Sequence, residues 1–381
     1  MKVTQEDFIS IAIECDLDPA KILTTLKKRF PSVEHRPSKV DKRLANFRRK
    51  GLLPLSSGNS VSRGEILKGS STLYDESGNI KLQWVKTDVP KTDQLDAFSE
   101  AVDNILSRIN PVTPVLVPCI SAEMENLMSV YTIGDAHIGM LGWKPEVGED
   151  HDLEISKNRH IAAMSMLVSQ SNPTKEAFIV DVGDFFHSDN TENRTAASGH
   201  SLDVDGRYAK VLEIGLLLAT NLIDLTLQKH ELVHWRSAIG NHNEHSALMM
   251  NQFIKAYYRN ESRVTVHDSP SMYMYHQFGK NLIGITHGNK AKADKLGELM
   301  AVDCQDIWSS TKYRYWYTGH VHHQSVKEYP SCVVETFRTL AGKDAWHSAQ
   351  GYRSGQDMKC ITLHKDYGEI SRNTVNIAQL A

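Results

Sequence analysis

Two kinds of apolar segment alternate along the chain after position 115. Short apolar runs typical of buried strands occur at 129–133, 177–182, 232–239, 281–286 and 313–317. Longer segments with apolar residues at helical spacing occur at 155–170, 208–229, 246–258 and 291–302. Short strands return at 332–337, 360–364 and 370–375. Because strands and helices alternate, the pattern predicts an α/β core.

The N-terminal part of the chain is organised differently. Its pattern predicts short helices, a β-hairpin and a further helix, at 11–30 (with a break near 16–19), 38–50, 71–85 and 93–109. Three prolines within 110–118 indicate a linker. We therefore predict an accessory region at 1–114 and a second domain at 115–381.

Positive charge is concentrated at the N-terminus. The whole chain has a formal net charge of −3, but residues 1–50 carry 12 Lys and Arg against 7 Asp and Glu. Ten of these basic residues lie between Lys27 and Lys50. The short helices are therefore compatible with a helix-turn-helix-like module that binds nucleic acid, or with a small helical cap that has a solvated basic face.

Several protein classes are excluded by composition. The longest apolar stretch, at 211–225, is interrupted by Glu213, Asn221 and Asp224, so no membrane-spanning helix is predicted. The N-terminus has acidic residues where a secretion signal needs an apolar run. The five cysteines form no CxxC motif. We expect a cytoplasmic protein with reduced thiols and no membrane partner.

Polar residues suited to chemistry follow five of the predicted strands, usually beside a glycine. They are Asp135 and His137, Asp184 and His187, Asn241 and His242, His287, and His320 and His322. An ordinary turn would explain any one of these positions, but chance is a poor explanation for five in order. Because ligands bind beyond the carboxyl ends of strands in open α/β sheets, we expect these side chains to form one site.

The residue types indicate metal binding. Of the 18 histidines, only His35 precedes residue 130, and the strand-end set combines histidine with two aspartates and one asparagine. Oxygen and nitrogen donors without sulfur suit Mn²⁺, Fe or Zn²⁺. Seven or more donors are too many for one ion but enough for two ions about 3.5–4 Å apart that share a carboxylate.

The ordered motifs DxH, GDxxH, GNH, HG and GHxH resemble those of the calcineurin-like metallophosphoesterase superfamily. The resemblance implies an α/β/β/α sandwich, and it implies that His242 stabilises the phosphate or protonates the leaving oxygen. It assigns to the first metal Asp135, His137, Asp184 and His322. It assigns to the second metal Asp184, Asn241, His287 and His320, so that Asp184 bridges the two ions.

Details of the motifs indicate a branch of the superfamily. The sequence GDFFHS at 183–188 resembles the GDLFHS-like motif of SbcD-type DNA double-strand-break repair nucleases, and DAHIG at 135–139 resembles their DxHLG. The GDxxDRG motif of the Ser/Thr protein phosphatases is absent, since His187 and Ser188 occupy the positions of its second aspartate and its arginine. In the nucleases the residue that matches His187 lines the active site and helps to orient the substrate.

Other parts of the sequence depart from that branch. The third motif reads GNHNE, and Asn243 is assigned no role. Little chain follows His323, so we do not expect the ATPase partner that docks on the long C-terminal region of the repair nucleases. The stretch at 69–86 resembles phage or prophage repair exonucleases. Five further residues would either line the substrate groove or belong to a structural loop: Arg338, Lys343, Asp344, Trp346 and His347.

The sequence therefore predicts a hydrolase that uses two divalent ions to cleave DNA phosphodiesters, as an exonuclease or endonuclease of the repair and recombination type. Mn²⁺ is favoured, with Fe, Zn²⁺ or Mg²⁺ as alternatives. The competing hypotheses are an enzyme acting on small phosphoesters, cyclic nucleotides or phosphoproteins, and a DNA-binding regulator with a vestigial metal fold. No oligomeric state is predicted.

Overall fold

The computed structural model describes residues 3–31, 33–49, 53, 66–74, 80–88, 121, 123–195 and 199–380. Contacts divide the chain into two compact units, Met1–Asp96 and Ala97–Ala381. The predicted boundary at 114/115 and the predicted helix at 93–109 fall outside the described residues, and both remain predictions.

The described part of the N-terminal unit contains three helices and one hairpin. In order, these are α1 (Gln5–Glu14), α2 (Pro19–Arg29), α3 (Pro37–Arg49), β1 (Ile66–Tyr74) and β2 (Ile80–Asp88). The helices pack around a small core that includes Phe8, Ile22 and Leu44. The two strands are antiparallel. The short helices and the hairpin of the sequence prediction are confirmed.

Two β-sheets lie in the described part of the larger unit. Its strands are β3 (Leu127–Ile133), β4 (Glu176–Asp181), β5 (Leu232–Ser237), β6 (Val264–Val266), β7 (Met274–Phe278), β8 (Asn281–Ile285), β9 (Tyr313–Thr318), β10 (Ser325–Glu328), β11 (Val333–Thr336), β12 (Asp357–His364) and β13 (Gly368–Asn376). The six-stranded sheet has the order β13-β12-β3-β4-β5-β6, and the five-stranded sheet has the order β10-β11-β9-β8-β7. Strands β3 to β6 are parallel to one another, as are β8, β9 and β11.

Seven helices accompany these strands in the described part of the larger unit. They are α4 (Lys144–Val147), α5 (Leu153–Gln170), α6 (Tyr208–Leu227), α7 (Glu244–Tyr257), α8 (Leu296–Asp303), α9 (Gln305–Trp308) and α10 (Ala345–Ala349). Within the described residues, none of the helices has the length and apolar character needed to span a bilayer.

The layers follow from the alternation of side chains along the strands. In β4, Phe178 and Val180 face the five-stranded sheet, where they pack with Ile283 of β8. The intervening Ile179 faces the helices and joins the core formed with α5, α6 and α7. On the other side of the molecule, Trp316 of β9 packs with residues of α8. The predicted α/β/β/α sandwich is therefore confirmed.

Three strands of this sandwich are not predicted by the apolar pattern. Strand β10 lies at a sheet edge and all four of its residues are exposed. It therefore lacks the buried apolar face whose sequence pattern would predict a strand. Strand β6 has only three residues. Strand β7 is interrupted by the polar residues His276 and Gln277.

The packing of α6 on the six-stranded sheet generates a stability prediction. Leu222 is fully buried in this core, whereas Val302 at the end of α8 is 64% exposed. We expect Leu222→Ala to lower the free energy of unfolding by about 2–5 kcal/mol, because it removes apolar contacts and leaves a cavity. Urea denaturation measures the change, with Val302→Ala as the control. Equal effects of the two substitutions would contradict this assignment of the core.

Candidate metal centre

The structure brings all seven predicted metal ligands together at the carboxyl ends of five strands. Three of the strands, β3, β4 and β5, belong to the six-stranded sheet, and β8 and β9 belong to the five-stranded sheet. These candidate ligands are Asp135, His137, Asp184, Asn241, His287, His320 and His322. Side chains widely separated in sequence meet because parallel strands end at the same edge of a sheet.

One cluster consists of Asp135, His137 and His322. Each offers a ligand atom, and these atoms lie within 4.8 Å of one another. The Nε2 atom of His322 lies 3.1 Å from Nε2 of His137 and 3.6 Å from Oδ1 of Asp135. The loops after β3 and β9 therefore form this cluster jointly.

A second cluster forms around His287. Its Nε2 atom lies 3.0 Å from Oδ2 of Asp184 and 3.1 Å from Oδ1 of Asn241. Ligand atoms of Asp184, His287 and His320 lie within 4.8 Å of one another. The other ring nitrogen of His287 donates to the carbonyl oxygen of Val182 at 3.0 Å. Burial disfavours the charged ring, but the neighbouring Asp184 carboxylate raises the pKa of His287 to about 9, so Nε2 also carries a proton, which these oxygens accept. A cation bound at Nε2 would displace this proton.

The electrostatics of the centre fit bound cations. Asp135 and Asp184 are buried, and in the described part of the chain their ion-pair partners are histidines rather than lysine or arginine. Burial raises the pKa of Asp135 to about 8, although His287 opposes the shift. Burial would also raise the pKa of Asp184, but the His287 ring beside it lowers that pKa instead. Buried carboxylates, imidazoles and an amide oxygen without sulfur suit Mn²⁺, Fe or Zn²⁺. The clusters are therefore candidate sites for divalent metal ions.

The backbone of the centre is strained. Asp135, His137, Asp184, His320 and His322 have φ angles of 34°, 43°, 53°, 73° and 54°. Residues other than glycine rarely adopt this left-handed backbone conformation, and it persists only where the surrounding structure holds the residue in place. The sharp turns direct the side chains of these five candidate donors into the centre.

Two glycines permit the close approach of these turns. A Cβ atom on Gly240 would overlap Oδ1 of Asp184, and one on Gly319 would lie 2.5 Å from Oδ2 of Asp135. Larger residues at either position would displace a carboxylate of the centre.

Asn243, to which the sequence motifs assign no role, joins two turns of the candidate centre. Its side chain is fully buried, and its Oδ1 atom accepts hydrogen bonds from the backbone N–H groups of Asp184, at 3.1 Å, and Gly240, at 3.0 Å. It therefore ties the turn after β4 to the turn after β5. The extra asparagine in the GNHNE motif is the only sequence signal of this contact.

His187 lies behind His137 and is fully buried. Its Nδ1 atom is 3.0 Å from Nδ1 of His137, and its carbonyl oxygen accepts a hydrogen bond from Nδ1 of His242 at 2.9 Å. His187 is not among the residues that line the cavity described below, and the substrate contact that the resemblance implies for it stays a prediction. His187 supports one candidate ligand and one candidate catalytic histidine.

A cavity of about 260 Å³ opens beside the two clusters. His242, Trp346, His347 and Tyr352 contribute to its lining, and the side chain of Trp346 is 52% exposed. Asp344 also lines the cavity, and its Oδ1 atom forms a 2.7 Å hydrogen bond with Nδ1 of His347.

Three of the five additional groove candidates thus lie at the site, namely Asp344, Trp346 and His347. Lys343 lines an adjacent small cavity with His347. Arg338 instead forms a 2.7 Å ion pair with Asp357.

Comparisons with known proteins show distant similarity in structure. No protein-family model and no curated protein matches the chain. A predicted phosphoesterase from Streptococcus pneumoniae TIGR4 matches 66% of this chain and 98% of its own, at 9% identity and a TM-score of 0.26. An archaeal phosphodiesterase matches 65% of this chain and 100% of its own, at 10% identity and a TM-score of 0.33. Zinc-complexed Vps29 from Entamoeba histolytica matches 65% of this chain and 99% of its own, at 12% identity and a TM-score of 0.27.

The Asn243 contact generates a prediction about metal affinity. We expect Asn243→Ala to weaken binding of Mn²⁺ by roughly 10–100-fold, because two turns that carry donors lose their common hydrogen-bond acceptor. Calorimetric titration with Mn²⁺ measures the effect. Asn221→Ala is the control, because it removes an exposed amide that donates to the carbonyl oxygen of Leu217 in its own helix. Wild-type affinity in a folded Asn243→Ala protein would show that the turns hold their shape without this residue.

Proposed function

We propose that this protein is a two-metal phosphodiesterase that hydrolyses DNA. The observation that carries the proposal is the convergence of seven donor side chains from two sheets into two adjoining clusters beside one cavity. Asp135, His137 and His322 would hold one ion, and Asn241, His287 and His320 would hold the other. Asp184 would serve both.

The ions would supply the part of the chemistry that the side chains lack. Two divalent ions about 3.5–4 Å apart lower the pKa of a water molecule and balance the charge of the phosphate in an in-line displacement. The protein fixes the carboxylates for this task through its backbone. The N–H of His320 donates to both oxygens of Asp135, at 2.8 and 3.1 Å, and the N–H of His242 donates to Oδ1 of Asp184 at 2.8 Å.

His242 is placed to act on the leaving group. Its Nδ1–H donates to the carbonyl oxygen of His187, which fixes the ring and leaves Nε2 as the second ring nitrogen available to a substrate. The residue lines the cavity, where a phosphodiester would lie against the donor clusters. We assign to its protonated form the transfer of a proton to the departing oxygen, as general acid.

The aromatic wall of the cavity favours a nucleic-acid substrate. Trp346 is half exposed, and its ring centroid lies 5.9 Å from that of Tyr352, so the two rings form a broad apolar surface beside the donors. Bases of single-stranded or frayed DNA stack on such surfaces. The ten basic residues between Lys27 and Lys50 would add sequence-independent contacts with phosphates.

Two substitutions separate metal binding from proton transfer. We expect Asp184→Ala to lose at least one bound ion and nearly all turnover, since both clusters depend on this carboxylate. We expect His242→Ala to retain both ions and to lower turnover by about 10²–10⁴-fold. Metal analysis and hydrolysis of bis-p-nitrophenyl phosphate with Mn²⁺ measure these effects. Two bound ions and full activity in Asp184→Ala would contradict the two-metal assignment, and loss of metal in His242→Ala would make His242 a ligand.

Trp346 tests the DNA substrate. A stacked base contributes about 1–3 kcal/mol, so we expect Trp346→Ala to lower digestion of end-labelled single-stranded DNA by roughly 5- to 150-fold. Hydrolysis of bis-p-nitrophenyl phosphate should change little, because that substrate has no base to stack. Trp143→Ala, which removes another exposed tryptophan that does not line the cavity, is the control. Wild-type protein that cleaves the small diester but no DNA, with Mn²⁺, Mg²⁺ or Zn²⁺, would support a small phosphodiester as the substrate.

A further inference from the structure

A separate group of histidines lies at the opposite end of the strands from the metal centre. Glu176 is the first residue of β4, and His234 lies on the neighbouring strand β5. His276 lies on β7 of the other sheet. Asp181, at the far end of β4, lies five positions after Glu176, which corresponds to about 17 Å along the strand. This cluster is therefore distinct from the candidate metal centre.

The three side chains converge as ligands would. Their ligand atoms lie within 4.8 Å of one another, and Oε2 of Glu176 is 3.7 Å from Nε2 of His234. The Nε2 atom of His276 is buried and has no hydrogen-bond partner in the described structure. A buried nitrogen without a partner is costly, and a bound cation would satisfy it. Donor atoms about 2.0–2.1 Å from a tetrahedral zinc ion lie about 3.3 Å apart, so small side-chain movements would complete the site.

A third histidine, His267, orients His234. Nε2 of His267 lies 3.2 Å from Nδ1 of His234. When His267 accepts the Nδ1–H of His234, the lone pair of His234 is left on Nε2, the atom that faces Glu176. Histidines that bind metals generally donate their other N–H to a neighbouring acceptor in this way.

The surroundings hold the rings in place. The ring of Phe178, which belongs to the core between the sheets, packs against His234, His267 and His276 with centroid distances of 5.8, 5.3 and 4.9 Å. Burial lowers the pKa of His276 to about 3 and that of His267 to about 4. Neutral imidazole is the form of histidine that binds metals.

We propose that Glu176, His234 and His276 bind a Zn²⁺ ion that links the two sheets. Two imidazoles and one carboxylate form a donor set that zinc accepts, and a water molecule would complete the coordination. Because Glu176 and His234 belong to the six-stranded sheet and His276 to the five-stranded sheet, the ion would connect the layers at this end of the sandwich. This zinc site is structural and takes no part in the proposed hydrolysis.

The experiment compares zinc content and stability in four full-length proteins. Chelator-treated wild type, Glu176→Gln, His276→Ala and His364→Asn are dialysed to equilibrium against Zn²⁺ and analysed for metal. His364 belongs neither to the metal centre nor to the cluster at Glu176. Asparagine at this position can still accept the hydrogen bond from the N–H of Asp366, so His364→Asn is the matched control. We expect Glu176→Gln and His276→Ala to bind one zinc ion fewer per chain than the wild type and His364→Asn.

Stability supplies a second measurement. We expect Zn²⁺ to raise the Tm of the wild type and of His364→Asn more than that of the two site variants, because an ion that binds only the folded state stabilises it. Turnover of bis-p-nitrophenyl phosphate should stay within about twofold of wild type in all four proteins, since the metal centre lies at the other end of β4.

Two results would overturn the proposal. One is an unchanged zinc content in Glu176→Gln and His276→Ala proteins whose circular dichroism matches that of the wild type. The other is a folded Asp184→Ala protein that binds no zinc, because the site at Glu176 should remain when the metal centre is impaired. Absence of hydrolytic activity in the wild type would count against the proposed function alone, since loss of one zinc in the site variants does not depend on turnover.

Discussion

The burial of two carboxylates without a lysine or arginine partner is the constraint on which the rest of the centre depends. Burial removes most of the hydration of Asp135 and Asp184. In the described structure, both carboxylates accept hydrogen bonds from backbone N–H groups and lie beside histidines. Such an arrangement is costly in a folded protein unless a cation completes it. The left-handed turns, the glycines that allow their approach and the amide of Asn243 all serve to hold these negative charges close together.

Much of the fold could be predicted because its central strands are buried on both faces. Strands β3 and β4 are apolar along almost their whole length, which distinguishes them from the amphipathic helices that follow. Strands at the margins were harder to predict. The exposed residues of β10 pair with β11 through backbone hydrogen bonds, which leave no trace in the side-chain pattern.

The candidate ligands could be identified because each stands in a short motif directly after a strand. Their supporting contacts could not, since these join distant parts of the chain. Asn243 reaches Asp184 across 59 positions, and His187 meets His137 across 50. For His187, a motif indicated the neighbourhood of the centre, but its burial behind His137 is a property of the folded molecule and not of the local sequence. The same holds for His347, which α10 brings to the cavity wall.

Both candidate clusters draw donors from both sheets: Asp135 and His137 meet His322, and Asp184 meets His287. Neither sheet alone carries a complete set of donors. A folding intermediate with only the six-stranded sheet formed would hold its two carboxylates without the imidazoles that complete their coordination, and would retain metal weakly. In a protein whose clusters bind metal, firm retention would therefore report that the two layers have docked in register. Substitutions in the apolar core between the sheets would then change the donor geometry even where they touch no donor.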